Sequence, residues 1–324
     1  MKVKINEVRK VLEQKWVDVG YTKAEAKIIA DEYLLGEILG RHSHGVFSAL
    51  RGAYQAKKKK RGHFKVIKNK GNYLYIEGNN DKGQIVATYA VKEGIKKAKK
   101  HGNAIVGMKD IQAFLRPGRW AGKIADNNMI GLCFNYGGAP LMAPYGAKEA
   151  VLSTNPIGIG IPTGKTPFVI DMATSVRAYY EVRMAKEMGR KLKPGLAIDK
   201  NGKMTTDPNK VEAVLPFGGY KGSALAMALE IMTGPLLGTF VGKRSKKGKR
   251  GALFIIIDPK MFGSLASFKK DVQRLLKDVK TARKQKGVKE ILYPGERAYR
   301  FKENNLKNGY LEIDEEIWEK IINL

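Results

Sequence analysis

Four imidazoles and one thiol bound the proton-transfer and nucleophilic chemistry available to this chain of 324 residues. The histidines are His42, His44, His63 and His101, and the cysteine is Cys133. A neutral imidazole near pH 7 suits exchange of a proton with a C–OH group. His63 and His101 sit in lysine runs, KKKKRGH and KKAKKH, and are expected at the surface or facing phosphate. One cysteine excludes a disulfide framework and a Cys-based zinc site, and no metal site is expected.

Phosphate chemistry has far more residues to draw on. Sixty Lys and Arg face 31 Asp and Glu, for a formal charge of +29. A charge of magnitude about 2–8 is comfortable for a small domain, so a polyanionic partner is the natural explanation. A lysine-rich thermophile surface would enrich Glu as well. The basic residues are clustered. Lys57, Lys58, Lys59, Lys60 and Arg61 form one run, and Lys96, Lys97, Lys99 and Lys100 a second. Lys243, Arg244, Lys246, Lys247, Lys249 and Arg250 form a third. All fifteen are candidate nucleic-acid contacts. Lysine is a point charge, so phosphate contact with little base reading is expected, whether the partner is DNA or RNA. Tyr54, Phe64 and Tyr73 lie among the clusters, either to stack on unpaired bases or to pack in the core.

The elements that must position these groups alternate between helical and strand patterns. Apolar residues at Ile5, Val8, Val11, Leu12, Trp16 and Val17 predict a helix over 5–18. Thr22 and Glu25 form a capping box for a second helix, to about residue 39. Further helices are expected at 47–58, 84–100, 116–127, 176–189, 221–237, 266–285 and 314–323. Strands are expected at 72–78, 103–108, 129–135, in IGIGIP and FVIDMA, at 253–258 and near 290–292. DKNGKMTTDP, from Asp199 to Pro208, predicts a loop. The class is therefore α/β or α+β. No apolar run approaches the roughly 20 residues of a membrane span, and residues 1–10 hold no apolar signal core. A cytoplasmic protein without a membrane partner is expected.

The common nucleotide motifs are absent. Gly158-Ile-Gly160 has the wrong spacing for a Rossmann fingerprint and leads into a strand. There is no P-loop, HExxH or GxSxG, and no common nucleic-acid module. Eight ordered segments are present instead. They are RHSHGV (from Arg41), MAPYG (Met142), STNPIG (Ser153), VIDMATS (Val169), DKNGKMTTDP (Asp199), LPFGGYKG (Leu215), IDP (Ile257) and YPGE (Tyr293). In this order and spacing they resemble the malate/L-lactate/L-sulfolactate dehydrogenase family of non-Rossmann NAD(P)-dependent oxidoreductases. Ureidoglycolate dehydrogenase and 2,3-diketogulonate reductase belong to that family. The resemblance runs from about residue 5 to residue 320.

The resemblance implies an α/β fold of the malate/L-lactate dehydrogenase family, distinct from Rossmann. It predicts a helical domain built from both termini, residues 1–70 with 266–324. The sheet-containing cofactor domain would span 71–265, with a smaller subdomain near 176–215. It implies a homodimer. It also implies cofactor contacts, NAD or NADP, at Asp171, Met172, Ala173, Thr174, Ser175, Tyr220, Lys221, Gly222, Pro294, Gly295 and Glu296. Small residues permit close backbone approach to phosphate, and Lys221 supplies charge.

Two departures bear on catalysis. The family's substrate-clamping Arg, two residues after HGV, is Ser48 here, with Arg51 three residues further on. The family's catalytic His position falls on Ala113, and the Gly after it on Leu115. Alanine carries no proton. His44, retained from the motif, becomes the candidate catalytic residue, against the alternative that it orients a helix start. Charge and lost side chains together point first to a catalytically impaired dehydrogenase fold that binds nucleic acid. In that case cofactor binding is retained or lost with the activity. The alternative is an active NAD(P)-dependent oxidoreductase on a small anionic 2-hydroxy or 2-oxo acid. There His44 or water handles the proton, and Arg51, Arg116 or Arg119 holds the carboxylate. A third reading is a protein that binds the dinucleotide without turning over.

Overall fold

The computed structural model describes residues 1–57, 61–245 and 249–324. The chain divides into two compact units. The first comprises 1–62, 163–168 and 266–324, and the second 63–162 and 169–265.

In chain order, β1 (Lys2–Lys4) leads into α1 (Ile5–Asp18), which buries Val8, Leu12 and Trp16. The Thr22 hydroxyl accepts from the Glu25 amide and the Glu25 carboxylate accepts from the Thr22 amide, opening α2 (Lys23–Ile38) as expected. A 3₁₀ turn at His42–His44 precedes α3 (Val46–Lys57). The hairpin of β2 (Lys65–Lys70) and β3 (Tyr73–Glu77) follows. Then come α4 (Gly83–His101), β4 (Asn103–Ile111), α5 (Pro117–Asp126) and β5 (Ile130–Asn135). β6 (Ile157–Ile161), β7 (Phe168–Met172) and α6 (Tyr179–Glu187) are next. β8 (Ala197–Ile198), β9 (Met204–Thr205) and β10 (Ala213–Val214) lead to α7 (Tyr220–Thr233). β11 (Arg250–Ile257), α8 (Leu265–Thr281), α9 (Glu296–Asn308), β12 (Tyr310–Glu312) and α10 (Glu315–Ile322) complete the order.

Among the described residues, one sheet holds seven strands in the order β2-β3-β4-β11-β5-β6-β7. It is mixed: β3 and β4 run parallel, while β11 is antiparallel to both its neighbours. β11 earns its central place by sequence, since Leu253 to Ile257 is apolar and β-branched on both faces. One face, with Leu74, Ile76, Val106, Met108 and Phe254, packs against Val86 and Ala90 of α4 and Trp120 and Ile124 of α5. The other packs Leu253, Phe134 and Ile157 against Leu229 of α7 and Leu237. A smaller sheet, β10-β8-β9, forms a separate cluster with Val182 of α6 and Leu192.

In the first unit, β1 pairs with β12, so the two ends of the chain meet in a small ladder. α1, α2, α3, α9 and α10 gather around it. The first segment of this unit ends at 62, because β2 hydrogen-bonds to β3 and belongs to the sheet unit.

Some local expectations fail. The DKNGKMTTDP stretch is not only a loop: its Met204–Thr205 pairs with Ala197–Ile198 across a turn closed by Asp199. No strand forms at 290–292, and α8 ends at Thr281 rather than 285. β1, β2, α9 and β12 were not anticipated. Among the described residues, no helix is long and apolar enough to cross a membrane.

Candidate functional site

Four of the ordered segments come together within the second unit. Thr174 donates from its amide and its hydroxyl to the Thr154 carbonyl, both at 2.9 Å. This joins the segment after β7 to STNPIG. The Phe217 amide donates to the Thr174 carbonyl at 3.0 Å and the Val176 amide to the Leu215 carbonyl at 2.8 Å. LPFGGYKG therefore lies beside Asp171–Ser175. MAPYG joins through the Tyr145 amide, which donates to Ser223 Oγ at 3.0 Å, and the Tyr145 and Tyr220 rings meet edge to face.

Glu230 of α7 fastens this assembly. Its buried carboxylate accepts from the Ser153 amide (2.9 Å), Asn155 Nδ2 (2.6 Å) and the Gly242 amide (3.0 Å). Nothing in the sequence marked Glu230 except its place as a lone acid in an apolar helix. Such a residue must find hydrogen-bond donors.

The start of α7 is shaped for close approach. Gly218 and Gly219 take left-handed φ values of +57° and +61°, and a Cβ on Gly218 would meet nothing within 4 Å. A Cβ on Gly222 would collide with the Phe217 carbonyl. No side chain caps the helix; the Lys221 amide donates to the Gly218 carbonyl at 3.4 Å, and the positive dipole end is presented to an anion. Tyr220 and Lys221 are exposed there, as is Met172 across the segment junction, while Ala173 is half-buried and Thr174 and Ser175 are buried.

Asp171 points the other way. Its carboxylate accepts from Arg116 Nη1 at 3.2 Å and from the Gly118 amide at 3.1 Å. It thus caps α5, whose own N-cap residue, Arg116, supplies no cap. A Cβ on Gly118 would strike the Asp171 side chain. Arg116 is 8% exposed, and its Nε has no partner among the described residues.

Residues 112–116 form the loop between β4 and α5. Gln112 donates to the Asp81 and Asn80 carbonyls, and Phe114 packs against Trp120 and Phe254. Leu115 takes φ +72°, and half-buried Ala113 sits between these anchors. Asp110 pairs with Lys249 at 2.8 Å. Burial pushes the Cys133 thiol well up, which leaves it inert.

RHSHGV and YPGE lie in the first unit. Glu37, 4% exposed, accepts from the Val46 amide at 2.8 Å and faces His42 Nδ1 at 2.5 Å. It fixes both the 3₁₀ turn and the start of α3. The Glu37 contact raises the His42 pKa above its ordinary 6.5. His44 Nδ1 lies 3.0 Å from Ser43 Oγ. Ser48 is buried on α3, with Arg51 half-buried on the same helix. In YPGE, Gly295 takes φ +97°. The Glu296 carboxylate is engaged by Lys280, by Arg300 and by the Tyr293 amide, closing the turn onto its own unit.

The structure accounts for the sequence as a whole in the same way that known proteins do. The sequence profile of the malate/L-lactate dehydrogenase family matches residues 3–322. The chain belongs to that family. The malate/(S)-sulfolactate dehydrogenase of Methanothermus fervidus is 34% identical over 315 residues, covering 94% of this chain and 91% of that protein. The ureidoglycolate dehydrogenase (NAD(+)) of Escherichia coli is 28% identical, over 91% of this chain and 88% of that one. The solved sulfolactate dehydrogenase of Methanocaldococcus jannaschii superposes with a TM-score of 0.89 at 32% identity, covering 99% of this chain and 95% of that one. The Leu115 backbone takes a left-handed conformation at the position where the resemblance places a glycine.

Among the described residues, much of the clustered basic charge is engaged within its own unit. Lys58, Lys59, Lys60, Lys246 and Lys247 lie outside the described residues. Lys57 Nζ donates to the Leu324 carbonyl, and Arg61 is bound to Glu25 while covering the Tyr21 ring at 4.5 Å. Lys243 pairs with Glu149, Lys249 with Asp110, and Arg250 Nε donates to the Gly137 carbonyl, while Arg244 is exposed. Lys96 pairs with Glu93 and Lys97 Nζ donates to the Gly71 carbonyl, while Lys99 and Lys100 are exposed. Within the second unit, Arg250 pairs with Ile111 and Ile257 with Asn103. Lys249 and Arg250 and the cluster at 96–100 therefore sit at opposite ends of the β4–β11 ladder, roughly 23 Å apart along the strands. Of the interleaved aromatics, Phe64 packs on Tyr89, whereas Tyr54 and Tyr73 are exposed.

Proposed function

We propose that this chain is an NAD(P)-dependent oxidoreductase acting on a small anionic 2-hydroxy or 2-oxo acid. The observation that carries the reading is the open glycine turn at Gly218 and Gly219 before an uncapped α7, with Lys221 exposed beside it and Asp171–Ser175 bonded alongside. This donor set fits a dinucleotide: backbone N–H groups, a helix N-terminus and one ammonium suit a phosphate. Tyr220, Lys221 and Gly222 would hold it, with Met172, Ala173, Thr174 and Ser175 lining the neighbouring segment, while the Asp171 carboxylate is turned onto α5. A nicotinamide cofactor, when bound, supplies or accepts the hydride.

The chain's own groups orient and protonate. Arg116 is committed to Asp171, so it positions the loop at 112–116 and the start of α5. Arg119, on α5 of the same unit, is the guanidinium proposed for the substrate carboxylate, and an ordered water handles the proton that Ala113 cannot. Ala113 also favours a second reading, in which the dinucleotide binds without turnover. We further infer a homodimer, because α7 and the turn after it expose Met227, Ile231, Leu236 and Phe240 together.

NADH and NADPH binding, followed by energy transfer from tryptophan, tests the cofactor site. Saturable binding that Lys221→Gln weakens about tenfold supports it, in line with the loss of one charge-assisted contact. Binding unaffected by that change contradicts it.

A further inference from the structure

One end of the sheet unit concentrates charge that the oxidoreductase reading does not use. Three segments meet there. The Lys97 Nζ donates to the Gly71 carbonyl at 2.8 Å, and Asn72 Nδ2 donates to Asn103 Oδ1 at 2.6 Å. These bonds set the β2–β3 turn against the end of α4. The Asp258 amide donates to the Gly102 carbonyl at 2.7 Å, and a Cβ on Gly102 would strike Met261. The turn after β11 is thus seated on the same helix end.

Residues 65–73, 92–104 and 258–262 carry nine lysines and His101 against two carboxylates, Glu93 and Asp258. Both carboxylates are engaged, Glu93 by Lys96 and Asp258 by the Lys260 amide. Lys68, Lys70, Lys99, Lys100 and Lys260 are exposed, with no carboxylate partner among the described residues. At the tip, Phe262 is 85% exposed beside Met261.

Familiar structural roles cover only part of this. Lysines on β2 discourage edge pairing, and those at the end of α4 complement the helix dipole. Neither role calls for Lys260 or for a protruding phenyl ring. Exposed ammonium groups and an exposed aromatic at one end of the unit supply the two contacts that single-stranded nucleic acid needs: phosphates meet the lysines and an unpaired base stacks on the ring. A lipid surface would want a broader apolar tip than Met261 and Phe262.

We propose that this end of the sheet unit is a docking surface for single-stranded nucleic acid, with Lys68, Lys70, Lys99, Lys100 and Lys260 on the phosphates and Phe262 on a base. Recognition is independent of base sequence, because lysine reads only charge. The surface is separate from the glycine turn of α7 and does not depend on cofactor binding.

The test is fluorescence anisotropy of the full chain, freed of carried-over nucleic acid, with labelled oligothymidylate of about 20 nucleotides, longer than one binding site. A duplex of equal length and vesicles of phosphatidylcholine with phosphatidylglycerol are the comparisons. Five phosphate contacts predict a log–log salt slope of about −3.5 on the single strand. Lys99→Gln/Lys100→Gln should flatten it by about 1.4. Phe262→Ala should weaken single-strand binding about tenfold with the slope unchanged. Lys191→Gln/Lys193→Gln, exposed lysines elsewhere in this unit, should change neither. Thermal melts of each variant confirm folding. A wild-type slope in the Lys99/Lys100 variant, equal binding by Phe262→Ala, a preference for duplex, or vesicle binding without oligonucleotide binding would each overturn the proposal.

Discussion

The carboxylate of Asp171 lies 3.2 Å from Nη1 of Arg116, and this pair ties the segment after β7 to the loop that carries Ala113. Both side chains are largely withdrawn from water. Removing one partner leaves the other charge buried alone. Arg116→Ala should destabilise the protein by about 3 to 5 kcal/mol. Asp171→Asn added to it should cost less than the sum of the two single changes. Chemical denaturation of the four proteins checks this, and strict additivity would mean that the pair does not interact.

Leu115 holds a left-handed conformation without being glycine. A β-branched residue tolerates that conformation least. Leu115→Val should therefore lower the melting temperature more than Leu115→Gly does, although valine is the closer match in size. The reverse order would show that packing, not backbone strain, governs the position.

Glu230 satisfies three donors at once, two of them buried. Glu230→Ala leaves them unpaired and should cost roughly 3 kcal/mol or more. Glu230→Gln keeps an acceptor and should cost less. Cofactor affinity should fall alongside stability in Glu230→Ala, because STNPIG and α7 are held together by this carboxylate.

The hydrogen bond to Glu37 raises the His42 pKa above 6.5. The stability it contributes is complete below pH 6.5 and is lost as pH rises through the higher folded value. Glu25 behaves oppositely. The hydrogen bond from Arg61 holds its pKa at about 2 rather than 4.5, so its contribution is present above pH 4.5 and lost as pH falls towards 2. Melting temperatures across pH should show both edges. Glu37→Gln should remove only the alkaline-side dependence assigned to His42.

Ala113 occupies the position where the family resemblance expects a proton-carrying imidazole. Ala113→His should raise kcat by about a hundredfold and introduce a pH dependence near the ordinary histidine value. An unchanged kcat would mean that the proton travels by another route.

Much of this architecture is legible in the sequence, for identifiable reasons. The Thr22–Glu25 capping box and the β-branched run at β11 encode local structure directly, and the structure follows them. β1 and β12 are three residues each and exist only by pairing across the whole chain, so no local pattern announces them. β2, exposed at every position, has no buried face to give alternation. The ordered segments located the glycine turn and the Asp171 stretch. Glu37 and Glu230 escaped, since their role lies in backbone amides brought near only by folding. The high charge is plain in composition, but composition does not show that Arg61, Lys243 and Lys249 are engaged by carboxylates, or that Lys249 and Arg250 stand at the opposite end of one ladder from the cluster at 96–100.

The central claim is hydride transfer between NAD(P)H and a small 2-oxo acid. The most direct test is the loss of absorbance of NADH and of NADPH with oxaloacetate, pyruvate and sulfopyruvate, each against a no-substrate control. Oxidation that saturates with at least one acid, and that Lys221→Gln impairs through the cofactor KM, is the predicted result. No turnover with either cofactor, together with a melting temperature unmoved by NADH and NADPH, would contradict it.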